Sequence, residues 1–113
     1  MNTPRKRQGL FGSRRRTEIL VTIALLGETY PSELARLLKA PLYSVQNIVA
    51  ALDLDGVVAT RISGGSRRVS LDPRYFAYAE LKDLLLKLAD AEPGLRAVAA
   101  SRRSRPRRAG KPL

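Results

Sequence analysis

The chain contains no cysteine and no histidine. Thiol nucleophiles, imidazole general bases and soft-metal ligands are therefore excluded together. Disulfide stapling is excluded as well, which fits a reducing compartment. No glycine-rich phosphate loop and no carboxylate pair at catalytic spacing compensates, so an enzyme is the least expected class and neither cofactor nor metal is expected. Long apolar runs are also missing. The longest uncharged stretch, residues 40–52, contains Pro41, Gln46 and Asn47 and is too short and too polar to span a bilayer. Internal repeats are absent.

An export signal is not expected either, on similar grounds. Ser13-Arg14-Arg15 precedes the apolar residues 19–26 in the manner of a twin-arginine leader. Glu18 interrupts that approach, the run is short, and no small-residue cleavage site follows. The expected location is the cytoplasm, with the nucleoid. The preference for Arg over Lys and the Ala/Leu bias fit a G+C-rich prokaryote.

With 113 residues and 44% apolar content, the chain supports one small domain. Its net charge of +11 is unevenly placed. Residues 1–17 hold six basic residues and no acid, and residues 96–113 hold seven and no acid, whereas residues 18–95 hold eight basic and ten acidic ones. Basic ends on a near-neutral middle suit arms that lie along a polyanion, adding affinity without sequence information. Tails that merely aid solubility have the same composition.

The segment from Pro31 to Leu52 carries most information. Leu34, Leu37 and Leu38 mark a short helix, Ala40-Pro41 a break, and Val45, Ile48, Val49 and Leu52 a second helix at i, i+3, i+4 and i+7. Small Ala35 lets the two helices cross closely. This is a helix-turn-helix, whose second helix, about Leu42 to Leu54, offers its outer face to the DNA major groove. A β-branched strand, 57–62, a Ser63-Gly64-Gly65-Ser66 turn and a returning strand, 67–71, follow as a hairpin wing. The fold class is α+β, mostly α: a winged helix-turn-helix with a three-helix core, a wing, a C-terminal helix and basic tails.

Around this unit, residues 1–12 read as a flexible basic arm ending in Leu10-Phe11, a small apolar latch for the first helix. Residues 13–91 form the domain. Ser13 is the N-cap of the first helix and Gly27 its C-cap. Asp72-Pro73 signals a helix restarting there and running to about Ala91. Residues 92–113 read as a basic tail, with at most a turn or two over 95–101 and disorder from Arg102. The first helix has its core stripe at Ile19, Leu20, Ile23, Ala24 and Leu26, yet Val21 and Leu25 make it apolar nearly all round. Leu84, Leu85 and Leu86 likewise exceed one stripe. A partner surface explains the surplus, and so does mutual cover of Val21, Leu25 and Leu86 within one chain.

The order of elements resembles the winged-helix transcriptional regulators of the ArsR type. The likeness is carried by S-E-L-A at 32–35, Val45, Ile48, Leu52, G-V-V at 56–58, the basic pair of the returning strand and the L-D-P after it, within roughly residues 13–91. It implies a transcriptional regulator that is a homodimer through the first and last helices, with Val21 and Leu25 on one and Leu81, Leu85, Leu86 and Leu88 on the other. Such a dimer binds two half-sites of a partly palindromic double-stranded DNA operator. Two departures stand out. The Cys and His ligands of the family's metal sensors are missing. Lys39 occupies the turn position where glycine is common, which predicts a longer or differently shaped turn.

With the apolar residues of the second helix inward, helical spacing leaves Tyr43, Ser44, Gln46, Asn47 and Ala50 outward. Gln46 and Asn47 match the paired donor and acceptor of the adenine edge, while Ser44 and Tyr43 suit a base or phosphate. Asp53 and Asp55 close the helix with acid, so its N-terminal half is the end expected in the groove. Arg61, Arg67 and Arg68 of the wing suit the flanking groove or backbone, and Arg14, Arg15, Arg16 and Lys39 suit phosphates. The same composition permits a low-specificity nucleoid-type binder, or a winged-helix adaptor for protein partners.

Overall fold

The computed structural model describes residues 10–104. Five helices and three strands follow in the order α1 Arg14–Leu26, β1 Glu28–Thr29, α2 Pro31–Leu38, α3 Leu42–Leu54, β2 Val58–Ser63, β3 Ser66–Leu71, α4 Tyr78–Asp90 and α5 Pro93–Ser104. The fold is α+β and mostly helical, with one antiparallel sheet in the strand order β1-β3-β2. Among the described residues no helix is long and apolar enough to cross a membrane.

Local signals set most boundaries. The Ser13 hydroxyl accepts from the Arg16 N–H at 3.1 Å, and Gly27, at φ +83°, returns its N–H to the Ile23 carbonyl at 2.8 Å. Pro31 occupies the first position of α2, where a missing N–H is harmless. The β2–β3 hairpin turns on Gly64 and Gly65, both at positive φ, which a two-residue turn matched to strand twist requires.

The α2–α3 turn keeps its compact form despite Lys39. That residue is left-handed at φ 54°, ψ 47°, and the Ala40 N–H closes on the Ala35 carbonyl at 2.9 Å. The expected change of turn shape does not occur, because the capping hydrogen bonds outweigh the steric cost of a side chain there. Lys39→Gly removes that cost, about 1 kcal/mol, so thermal denaturation is expected to rise by about 4–8 °C in a domain of this size.

Two other expectations are corrected. No helix starts at Pro73. Asp72 instead binds its own neighbour: Arg74 donates to Asp72 Oδ1 from its backbone at 2.9 Å and from its guanidinium at 3.2 Å. The Arg74 side chain first, and its backbone N–H second, hold the Asp72 carboxyl below the usual aspartate range. This turn consumes residues 72–77 and delays α4 to Tyr78. Residues 93–104, expected as tail, form helix α5. Its Leu95 and Ala99 are buried, and Leu95 joins the core that contains Ile19, Leu34, Val45, Val58, Val69 and Leu85. The remaining tail, from residue 105, and the arm up to residue 9 lie outside the described residues. Of the proposed latch, Phe11 packs against the core and Leu10 stays half exposed.

The surplus apolar surface of α1 is resolved by the same helices. Val21 and Leu85 have 0% exposure within the single chain, and Leu25, Leu81, Leu86 and Leu88 are half-buried. α1 packs against α4, α5, α2, β1 and β3, so it needs apolar residues on more than one face. Val21 and Leu85, expected at a dimer interface, are core residues of the chain itself.

Candidate nucleic-acid interface

α3 is held by Val45, Val49 and Leu52, all buried, with Ile48 half-buried. The same spacing turns Tyr43, Gln46, Asn47 and Ala50 to the surface and leaves Ser44 half-exposed. No side chain caps the N-terminus of α3, and no acid lies in its first turn, so its leading amides remain available to an anion. At the opposite end the exposed Asp53 is tied to β2 by the Thr60 hydroxyl, which donates to Asp53 Oδ2 at 2.9 Å. The helix thus presents a positive end and an uncharged face, with its acid on the side of the sheet.

The outer face of α3 forms one wall of an open groove of about 650 Å³. Gln46, Asn47 and Ala50 line it from α3, Pro31 and Ser32 from the start of α2, and Arg67 from the hairpin. The fold therefore joins Gln46 and Asn47 to Arg67. Tyr43 and Ser44 lie outside the groove lining, nearer the N-terminal end of α3.

The three hairpin arginines separate by strand register. Arg61 pairs across the ladder with Arg68, whereas Arg67 lies opposite Ile62, on the other face. Arg67 has no acidic partner among the described residues. The Arg61 guanidinium is engaged by Glu28 at 2.6 Å, and that of Arg68 lies 5.4 Å from the centre of the Tyr30 ring. Arg61 and Arg68 thus brace the hairpin against β1 and the Tyr30 that follows it, a role not visible in the sequence. Arg67 alone of the three points to the groove.

The basic residues of α1 are likewise partly committed. Arg14 pairs with Glu18 at 3.1 Å and with Glu92 at 3.6 Å. Arg15 pairs with Glu18 at 3.2 Å and donates to the Leu38 carbonyl at 3.4 Å, satisfying the C-terminal end of α2. Arg16 is half-buried and Lys39 exposed. Through Leu38, Arg15 is placed beside the Lys39 turn, which leads directly into the N-terminus of α3.

Sequence reasoning missed Tyr30, which lines the groove and carries Arg68. It also missed the carboxylate of Glu33, 5% exposed, which accepts from the Thr29 hydroxyl at 2.6 Å and from Arg102 at 3.2 Å. A polar residue in the first turn of a predicted helix gave no signal of burial. Among the described residues no group of three or more His, Cys, Asp or Glu is arranged to hold a metal ion. No family model matches the chain, and comparison with curated proteins and with solved structures finds no significant match.

Proposed function

We propose that this chain is a winged helix-turn-helix protein that reads double-stranded DNA and regulates transcription, without catalysis. α2 and α3 are the helix-turn-helix and the β2–β3 hairpin is the wing. One observation carries the reading: Gln46 and Asn47 share an open groove with Arg67, which has no acidic partner among the described residues, beside a helix N-terminus without a side-chain cap. Amide side chains supply the bidentate contact to adenine, and a helix face without Arg or Lys lacks the commonest guanine contact, so adenine-containing sites are expected. Arg67, Lys39 and the terminal arms supply phosphate contacts that set register without reading sequence.

In vitro selection from random double-stranded DNA at physiological salt tests this. Enrichment of one motif is the expected outcome, and uniform retention of all sequences supports the low-specificity alternative instead. The dimer implied by the ArsR likeness has a narrower basis here, a groove of about 380 Å³ lined by Leu25, Leu86, Arg96, Ala99 and Ala100. An inverted repeat in the selected motif supports it, and a single half-site opposes it.

Arg67 and Arg61 provide an internal comparison. Arg67→Ala is expected to weaken binding on every sequence and to reduce the salt slope of log K by about 0.9. Arg61→Ala removes an ion pair with Glu28 and leaves that slope nearly unchanged. Titrations at several salt concentrations measure both.

A further inference from the structure

The short β1–β3 ladder leaves a gap where it ends. Glu28 pairs with Ser70 and Thr29 with Val69, whereas Gly27, at φ +83°, turns its N–H back to the Ile23 carbonyl instead of extending β1. On the other side of the gap the Asp72–Arg74 turn delays α4 to Tyr78. A cleft of about 220 Å³ remains between the end of α1, β3 and the start of α4. Ile23, Ala24, Leu71 and Pro73 give it apolar walls. The space at Gly27 is open, since a Cβ built there meets no atom within 4 Å.

Tyr78 and Lys82, one turn apart on α4, supply the polar side of the cleft. Lys82 Nζ lies 5.9 Å from the centre of the Tyr78 ring. It has no acidic partner among the described residues, and its helical neighbours Tyr78, Ala79, Leu85 and Leu86 carry no carboxylate. The two acids that border the cleft in sequence are already engaged. Arg74 donates to Asp72 at 2.9 and 3.2 Å, and Arg61 holds Glu28 at 2.6 Å. An apolar floor thus stands beside one uncommitted cation.

We propose that this cleft binds a small organic carboxylate, with its apolar body on Ile23, Ala24 and Leu71 and its anionic group at Lys82. Pockets of this kind combine apolar walls with a few polar groups that fix orientation. Volume sets the size of the ligand. A cavity of about 150 Å³ holds one benzene ring, so the cleft admits a single ring bearing a carboxylate and excludes a nucleotide. The apolar body is required, because an exposed ammonium alone holds an anion only weakly in water. The cleft shares no residue with the groove of Gln46, Asn47 and Arg67, so ligand binding here is independent of the DNA reading.

Titration of the isotope-labelled full-length protein with benzoate, followed through backbone amide shifts at constant ionic strength, tests the site. Acetate, benzylamine and benzyl alcohol serve as comparisons that lack the ring or the negative charge. Saturable benzoate shifts centred on Gly27, Leu71, Tyr78 and Lys82 are expected, with clearly weaker binding of the other three. Lys82→Met, at an exposed position, should weaken benzoate about tenfold, the low end for loss of a charged hydrogen bond. Lys87→Met, which removes an equally exposed charge from α4 outside the cleft, should leave binding unchanged. Equal binding of benzoate and any comparison compound, or equal weakening by the two lysine variants, overturns the proposal. So do shifts centred on Arg67, or the absence of a saturable shift.

Discussion

Leu85→Ala is expected to lower the unfolding free energy by about 2–5 kcal/mol, with a loss that does not change with protein concentration. Leu85 has no exposed surface within one chain and belongs to the core that also holds Val21 and Ile23. Truncation removes buried methyl groups and leaves a cavity that the packed helices fill only in part. A residue buried solely by a second copy behaves differently. Its truncation weakens association, so the loss grows as the protein is diluted. Urea denaturation of the wild type and the variant over a hundredfold range of concentration separates the two. A constant shift in midpoint places Leu85 in the core of the chain, and a widening shift on dilution returns it to an interface.

Asn47→Ala should reduce discrimination at one base position of the selected motif by about 1–3 kcal/mol, roughly 5–150-fold. Overall stability should change by less than about 0.5 kcal/mol, since Asn47 is exposed on the surface of α3. A bidentate amide contact discriminates because the wrong base leaves a donor or an acceptor unpaired in a desolvated groove. Competition binding against each single-base variant of the motif reads the effect. Equal weakening on every variant identifies Asn47 as a backbone contact, which transfers base reading to Gln46. Tyr43 and Ser44 lie outside the groove lining, so their alanine variants are expected to weaken binding without changing the preferred base.

Much of the architecture was legible because its determinants are local. The α2–α3 unit follows from apolar spacing over some twenty residues, and α1 from the Ser13 and Gly27 caps. The hairpin follows from two adjacent glycines between β-prone segments, and its register from the length of that turn. The outward placement of Gln46, Asn47 and Ala50 needed only the helical period and the identity of the buried side. Lys39 shows how a local rule is overridden: the left-handed turn persists with a non-glycine residue because the capping hydrogen bonds demand it.

What stayed hidden depends on residues far apart in the chain. β1 has only two residues, and Thr29 finds its partner at Val69, so no periodicity announces it. The delay of α4 to Tyr78 arises from an Asp72–Arg74 contact that competes with a helix signal of equal standing in the sequence. Helix α5 has weak core content, and Ala-rich sequence next to a basic run reads as tail. Its place is decided by the burial of Leu95 and Ala99 as α5 packs on α1, and by Arg102 against Glu33, 69 residues away. The separation of Arg67 from Arg61 and Arg68 belongs to the same class, since it required knowing that Glu28 and Tyr30 stand behind one face of the hairpin. Amino-acid order alone determined α1, α2, α3 and the hairpin, the caps of α1 and the polar face of α3, because backbone preferences and side-chain periods act over a few residues. Only the tertiary structure decided which charges are free, which apolar faces are already covered and where the basic C-terminal segment begins, because burial and pairing are properties of the assembled chain.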